Sequence, residues 1–484
     1  AEAVGELDLL LTAGRLSPEN LAVVRGAYDS AAQGEKLKAA QQAIVFTPEF
    51  NNLGDPQPNG TRSPKAPGQD KTAKDYRAVV MLFLLGGADT FHLLAPVGCR
   101  LYNEYKAVRT GAAHEQDKLH PIKPRSKQSC GRFGLHPDLP FLADLYENKR
   151  QAAFVSNVGA LIEPVTKSTM KERQTCQGMF SHSHQQSAAM TLECQIAGGA
   201  PVGVGGRMGD ALASQGHRVE SFSVSGMARW SEGVDTKIEI ISRKEGAVRF
   251  SAYNEWKHVI GNVTRQTYGN VYCEEYAQAL GDAVMSSEAL GAVLENVKLN
   301  TTYATDTKLA EQLHQVARLI AARAERKAER DLFFVTMGGF DTHANLHGAF
   351  SENMKELDAA LQGFVAELEA QKVFDSTLLV TASDFGRTLT YNGLGTDHGW
   401  GGNHFVLGGS VKGGQILNEF PKTFALGGEY DAGRGRVIPK YPWESMMVPI
   451  AEWMGVTAPE AVFPNLGNFN HSTHIIQQES LFNR

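Results

Sequence analysis

Apolar residues gather in six short uninterrupted runs, at 78–85, 152–157, 222–225, 332–336, 377–381 and 405–407. Such runs lack the alternation of a half-exposed strand and are too short for a helix, so each predicts a strand covered on both faces. Between them the pattern changes period. Leu309, Leu313, Val316 and Ile320 recur at helical spacing, as do Phe350, Met354, Leu357, Leu361, Phe364 and Leu368. Each set makes one apolar helix face. Strands alternating with amphipathic helices predict an α/β fold: a largely parallel central sheet covered by helices on both faces.

Upstream of the first run the pattern is helical throughout. Leu7, Leu9, Leu10 and Leu11 precede Gly14, a second helix starting at Ser17 carries Leu21, Val24 and Tyr28, and a third runs through Ile44. From 51 to 75 the chain turns polar, and Pro56, Pro58, Pro64 and Pro67 predict an irregular surface linker. The expected organisation is a helical segment at 1–50, a linker at 51–76 and an α/β domain at 77–484. The longest apolar run falls far short of the ~18 residues that a membrane-spanning helix needs, so no span is expected.

Composition narrows the partners. The 484 residues are 42% hydrophobic and 21% charged, which supports a large core and excludes a disordered chain. Forty-seven basic against fifty-three acidic residues give a net charge of −6, and no Lys/Arg cluster resembles a phosphate-backbone footprint. Nucleic acid is not an expected partner. Cys99, Cys130, Cys176, Cys194 and Cys273 show neither CxxC nor zinc-finger spacing, and leave the redox compartment undecided. The sequons at Asn59, Asn262, Asn300 and Asn470, with a start at Ala1 that suggests a trimmed product, lean towards secretion.

Chemistry-bearing residues collect at or near the ends of the runs, where open α/β sheets place their sites. GGADT sets Asp89 and Thr90 after the first run; GGFDTHANLH brings Asp341, His343 and His347; TASDFGRT brings Asp384 and Arg387; GTDHGWGGNH brings Asp397, His398 and His404. Any one of these Asp residues has an ordinary alternative as a helix cap, and any one His as a satisfied polar residue. Gathered at one sheet edge, they would repel or desolvate one another without a counter-charge, which a divalent metal supplies. A mixed Asp/His set suits Zn²⁺ or Mn²⁺ better than Ca²⁺ or Mg²⁺. In FSHSHQQSAAM, Ser181 and Ser183 stand before a helix expected from 185 to 196, with Ser183 as its cap. His182, His184 and His347 are further ligand candidates that no spacing argument singles out.

The segments LLGGADTFHLLAP, LHPDLPFLADLYENKRQAAFVSNVG, FSHSHQQ, GGFDTHAN, SDFGRT and GTDHGWGGNHFVLGG resemble the family called domain of unknown function 1501, of the alkaline phosphatase and sulfatase clan, over about 78–456. The resemblance implies an alkaline-phosphatase-like core, with metals beyond the strand ends, a Ser or Thr nucleophile at a helix start and an arginine holding the substrate oxyanion. Residue by residue, it implies Asp89, Asp341, His343, Asp384 and His398 as metal ligands; these are expected to converge, with His404 nearby as a ligand or an orienter. Ser181 is the implied nucleophile, Ser183 the reserve and Thr90 the outsider, with Arg387 on the oxyanion. Phe385 after Asp384, and the close spacing of Asp341 and His343, depart from the clan pattern and argue against two full metal sites. His184 stands where the family pattern has an acidic residue. ELDLLLTAGRLSPENLAVVRGAY through AIVFTPEFN resembles the tail of a second, helical family, domain of unknown function 1800.

The expected function is that of a secreted, or in a bacterium periplasmic, metal-dependent hydrolase of phosphate or sulfate esters, acting on a small anionic ester or a sulfated or phosphorylated substrate. A sulfatase acting on surface polysaccharide is a narrower version. The rival is a catalytically silent extracellular assembly protein with protein partners, keeping the fold and one metal.

Overall fold

In the computed structural model the apolar run at 78–85 forms strand β1 (Arg77–Leu84), and every residue from Ala78 onward is buried. The described residues are 2–54, 57–62, 75–194, 201–247 and 252–483. Within the unit formed by residues 73–246 and 297–484, β1 lies inside a large sheet. The other strands are β2 (Ala152–Gly159), β3 (Val219–Ser223), β4 (Ile238–Ser242), β5 (Gly246–Ala247), β6 (Arg330–Met337), β7 (Thr377–Ser383), β8 (Gly402–Leu407), β9 (Gln415–Leu417) and β10 (Tyr441–Pro442). Their order is β9-β2-β8-β7-β1-β6-β3-β4-β5, with β10 beside β2. All six predicted runs are strands of this sheet.

The largely parallel α/β architecture is as expected, with one exception. β7, β1, β6 and β3 run parallel to one another, whereas β8 is antiparallel to both β7 and β2. Register matters more for function. Leu84 pairs with Met337 on one side and Ser383 on the other, so β1, β6 and β7 end level. The loops that follow them therefore start side by side at one sheet edge.

Both faces of the sheet are covered. Val79, Met81 and Phe83 share a core cluster with Met446, Met447 and Ile450 of helix Glu444–Met454, while the alternate residues Val80, Leu82 and Leu84 are as fully buried. Helix Lys308–Ala321 buries Leu309, Leu313, Val316 and Ile320, and helix Leu346–Ala370 buries all six apolar positions predicted from Phe350 to Leu368. Each such side chain removed from water contributes about 1.5–3 kcal/mol.

The second unit corrects the expected domain plan. Helices Glu2–Thr12, Pro18–Ser30 and Lys36–Val45 form as predicted, and Ser17 caps the second by accepting from the Asn20 amide at 3.1 Å. However, residues 247–296, assigned by sequence to the α/β domain, group with 1–72. Val4, Leu7, Val24, Ala40 and Ile44 pack in one cluster with Trp256, Val259, Ile260 and Val263 of helix Tyr253–Arg265. Three short amphipathic helices cannot close a core alone, and the later segment supplies the missing face. The expected linker is also partly ordered: Pro58–Thr61 is a strand antiparallel to Gln266–Tyr268. Two further stretches of it, at 55–56 and 63–74, lie outside the described residues.

Among the described residues no helix is long and apolar enough to cross a membrane. Two disulfides form, Cys99 to Cys130 and Cys176 to Cys194, a pairing that the spacing alone does not reveal.

Candidate functional site

The level ends of β1, β6 and β7 bring three loops together. After β1 the chain turns through Gly86 and Gly87, both with positive φ (115° and 73°). Neither position has room for a side chain: a Cβ on Gly86 would stand 2.5 Å from the Asp341 amide nitrogen, and one on Gly87 would stand 2.2 Å from the Phe385 ring. The loop after β6 is fastened to β1 by the Phe340 amide, which donates to the Leu85 carbonyl at 3.2 Å, and it carries Asp341 and His343. The loop after β7 carries Asp384 and Phe385, then enters a hairpin in which Arg387 stands opposite His398. Helix His182–Thr191 supplies the last group, His182, from its first turn.

Asp341 is the hub. Its Oδ1 lies 3.1 Å from His343 Nε2 and 3.3 Å from His398 Nε2, and its Oδ2 lies 3.5 Å from His182 Nε2. His343 Nε2 and His398 Nε2 are themselves 2.8 Å apart. Each ring is held through its other nitrogen: His182 Nδ1 by Asp384 at 2.7 Å, His343 Nδ1 by Asp397 at 3.1 Å, and His398 Nδ1 by the Phe180 carbonyl at 2.8 Å. An Nδ1–H donated to such an acceptor leaves a lone pair on Nε2, the tautomer that a metal-binding histidine adopts. Three lone pairs and a carboxylate thus face one another, and ligand atoms of His182, Asp341 and His398 all lie within 4.8 Å.

Electrostatics favour the ligand-competent forms. Burial alone would raise the Asp341 pKa, but the Arg387 hydrogen bond and charge outweigh it and hold the carboxyl below its ordinary range. Burial, with the Arg387 charge, lowers the His398 pKa and keeps the ring neutral. Asp397 is likewise lowered against burial, by hydrogen bonds from Asn392 and His343 and by the Arg434 charge. These donor chemistries fit a Zn²⁺- or Mn²⁺-like ion.

Several residues singled out by sequence stand elsewhere or do something else. Asp89 is fully buried and bound to Arg109 Nη2 at 2.7 Å, to the Thr396 hydroxyl at 3.0 Å and to the His92 amide at 3.1 Å; it caps helix Thr90–Leu93 and has no place in the Asp341 group. Thr90 is buried, its hydroxyl accepting from the Asn403 amide at 2.8 Å. His404 is 2% exposed and packs on Trp443, and burial pushes its pKa down to about 3. It sits inside the antiparallel strand β8, paired with Val155, rather than beyond a strand end.

Asp384 reaches the site but is already saturated. Its carboxylate takes His182 Nδ1, the Gln186 amide at 3.0 Å and the Gly86 amide at 3.2 Å, so it orients His182 instead of ligating. Arg387 is fully buried, and its guanidinium donates to the carbonyls of Gly86 and Thr396 and to Asp341 Oδ1 at 2.9 Å. A fork committed in this way positions Asp341 and is not presented to a substrate. The helix cap is Ser181, not Ser183, and its side chain makes no capping bond; Ser181 Oγ lies 3.1 Å from His184 Nδ1 and 3.3 Å from Ser183 Oγ. The helix ends at Thr191, and the rest of its expected span to 196 runs into residues outside those described. His347 bonds the Gly111 carbonyl at 2.6 Å, away from Asp341.

Four further residues shape the site; sequence reasoning counted Asp397 only among the gathered carboxylates and gave no role in the site to Arg434, Arg436 or Phe385. Asp397 fixes His343 and is itself held by Arg434 at 2.8 Å. Arg436 donates to the His398 carbonyl at 3.0 Å, and its guanidinium lies 4.0 Å from the centre of the Phe180 ring. Phe385 packs its ring 5.0 Å from the His182 ring and 4.7 Å from the His398 ring. The Arg434 and Arg436 side chains follow a glycine-rich turn, a composition that marks a loop but not its direction.

A family model described as protein of unknown function (DUF1501) matches residues 241–429. No curated protein matches the sequence. Among solved structures, a sulfatase from Pseudoalteromonas sp. aligns at 10% identity and TM-score 0.33, covering 97% of this chain and 78% of that one. Alkaline phosphatase from the Antarctic bacterium TAB5 aligns at 10% identity and TM-score 0.25, covering 69% and 92%. The C-terminal periplasmic domain of EcEptC from Escherichia coli, in complex with Zn, aligns at 10% and 0.27, covering 70% and 74%.

Proposed function

We propose that the chain is a metal-dependent hydrolase of phosphate or sulfate esters. The observation that carries this reading is the convergence of His182, His343 and His398 on Asp341, each ring fixed through Nδ1 with its Nε2 aimed at the carboxylate. His182, Asp341 and His398 would hold the ion, with His343 completing the set. A bound divalent ion supplies polarisation of an ester oxygen and activation of a hydroxyl at neutral pH.

The chain's own residues do the rest. Ser181 is the nucleophile: its Oγ stands at the start of helix His182–Thr191, and His184 Nδ1 at 3.1 Å is placed to take its proton as the bond to phosphorus or sulfur forms. The ester oxygen leaves with its electron pair, and water then cleaves the seryl ester. First-turn amides of the helix stabilise charge on the transferred group. Arg434 and Arg436, on the loop that braces Asp397 and His398, take the anion-binding role expected of Arg387. Ser183 is the reserve nucleophile.

An extracellular or periplasmic setting suits two disulfides and four sequon asparagines that are all exposed. The substrate is then a small anionic ester or a sulfated or phosphorylated molecule, and extracellular proteins are the partners to look for.

The silent assembly protein is favoured by one specific observation: Asp89 and Arg387 are both consumed by internal bonds, leaving one metal position where the clan pattern implies more. Turnover separates the two readings. p-Nitrophenyl phosphate and p-nitrophenyl sulfate are assayed with Zn²⁺ and Mn²⁺ on the wild type, Ser181→Ala and Asp341→Asn. Loss of at least 100-fold in both variants supports the hydrolase with Ser181 attacking. Survival in Ser181→Ala alone moves attack to water, and no turnover by the wild type leaves the assembly protein.

A further inference from the structure

Arg434 and Arg436 stand on a turn at 432–436 that is closed by an antiparallel bridge between Asp431 and Val437. Asp431 is 8% exposed, and its carboxylate is turned into the loop. Oδ1 accepts from the Gly433 amide at 2.8 Å and the Gly435 amide at 2.9 Å, and Oδ2 from the Gly427 amide at 2.7 Å. We propose that Asp431 is a positioning residue of the Asp341 site, holding Arg434 and Arg436 where they bind the oxyanion of the substrate. The inference rests on the hydrolase reading, in which these two arginines take the anion.

The backbone at Arg434 shows why a clamp is needed. Its φ of 61° lies in the left-handed region, which residues with a Cβ disfavour. Such a conformation persists only where the surroundings fix it. Asp431 Oδ1 takes the amides of both residues that flank Arg434, so one carboxylate oxygen grips the chain before and after it. From the opposite side the Thr390 hydroxyl donates to the Arg434 carbonyl at 2.8 Å, and the Leu389 amide to the Gly435 carbonyl at 2.7 Å. The Ala432 amide donates to the Arg436 carbonyl at 2.9 Å, which carries the constraint to the second arginine. At the base of the loop, the Lys167 ammonium donates to the Asp431 carbonyl.

The arginine side chains do not supply this order themselves. The Arg434 side chain is 66% exposed, and its bond from Nη2 to Asp397 at 2.8 Å is a surface ion pair of the kind that contributes little. Arg436 donates through Nε to the His398 carbonyl, and no other nitrogen of either guanidinium makes a hydrogen bond among the described residues. Those open N–H groups are the donors that a tetrahedral oxyanion takes. A long side chain brings them to one point only if the backbone beneath it is fixed, because the freedom of that chain is otherwise lost on binding. Asp431 fixes that backbone without touching the anion.

The test is calorimetric titration of the full chain with inorganic phosphate at saturating Zn²⁺. Asp431→Ala is expected to lower phosphate affinity roughly 10- to 100-fold. Asp431→Asn keeps an acceptor for the Gly433 and Gly435 amides and should recover most of that loss. A residue acting through the arginines also shows it in combination. In an Arg434→Gln/Arg436→Gln background, adding Asp431→Ala should change phosphate affinity by no more than about twofold, whereas a general structural defect lowers it in both backgrounds. Should Asp431→Ala fail to fold, Thr390→Val replaces it, removing the bond to the Arg434 carbonyl, with the same dependence on the arginines expected. Undiminished phosphate binding in the folded variant, an equal loss with the arginines absent, or an Asp431→Asn variant as weak as Asp431→Ala would overturn the inference and leave the hydrolase reading standing. A wild type that takes up no phosphate would overturn both.

Discussion

His343 Nε2 and His398 Nε2 lie 2.8 Å apart, and neither ring has its Nδ1 free: one is bonded to Asp397 and the other to the Phe180 carbonyl. Two lone pairs at that distance repel unless a proton or a metal ion lies between or before them. The Asp341 carboxylate, 3.1 and 3.3 Å from the same two nitrogens, adds negative charge to the same point. The arrangement is therefore poised for a cation, and its loss should be felt as soon as one supporting bond is cut.

Asp397→Asn is the first such cut. It keeps the shape but removes the charge that fixes His343 and pairs with Arg434. Calorimetric titration with Zn²⁺ should show affinity falling about 10- to 100-fold, the range for an outer-shell partner of a metal-bound histidine. Melting temperature should change little, since the Arg434 partner is exposed.

Asp89→Asn should do the reverse. It strands the fully buried Arg109 without its counter-charge, at a cost of about 3–5 kcal/mol in denaturant unfolding. Zn²⁺ affinity at the Asp341 centre should stay within threefold in the folded variant. A large loss of affinity would restore Asp89 as a ligand.

Gly86→Ala tests the coupling between the β1 turn and the hub. With φ at 115° and the Asp341 amide 2.5 Å from the new Cβ, the substitution costs on the order of 1–3 kcal/mol in backbone strain. It must also push the Asp341 loop outward. Zn²⁺ affinity and ester turnover should fall together, more than in Gly98→Ala, a positive-φ control whose Cβ meets no atom within 4 Å.

His404 supplies a pH signature. Its pKa is about 3 in the folded chain because of burial, against about 6.5 when unfolded. Between those values the unfolded state binds the extra proton, so stability is intact above about pH 6.5 and is lost as pH falls towards 3. At pH 5 the loss from this group amounts to about 2 kcal/mol. His404→Gln cannot titrate, so its unfolding free energy should change less between pH 8 and pH 5 by about that amount.

Removing the Cys176 to Cys194 disulfide with paired serines opens the loop that brackets helix His182–Thr191. Stability should fall by about 3 kcal/mol for a loop of this length. Zn²⁺ affinity should fall as well, because His182 then loses the constraint that holds it against Asp384.

The sheet was legible because its strands are covered on both faces and so appear as unbroken apolar runs. Asp341, His343 and Asp384 were legible for a related reason, since each follows a run and the strand ends are level; His398 stands on the hairpin that follows, ahead of the next run. Asp89 carried the same signal and proved to be a cap with a buried partner, because a sequence shows which Asp follows a strand but not where Arg109 returns. Arg387 failed similarly, since an arginine after a strand reads alike whether its fork faces solvent or the backbone carbonyls of Gly86 and Thr396. No spacing argument singles out His182, because it arrives from a helix start that no sheet periodicity places. The reassignment of 247–296 was hidden because helices Tyr253–Arg265 and Val271–Glu295 are amphipathic in the same way as those of the α/β unit, and the apolar face does not name its partner.

The central claim is that His182, Asp341 and His398 bind a divalent metal, and anomalous diffraction from crystals grown with Zn²⁺ or Mn²⁺ tests it most directly. The account predicts one strong peak about 2.0–2.2 Å from His182 Nε2, an Asp341 carboxylate oxygen and His398 Nε2, absent in Asp341→Asn. A wild-type map with no peak among these atoms, at metal concentrations that saturate an ordinary protein site, would contradict it.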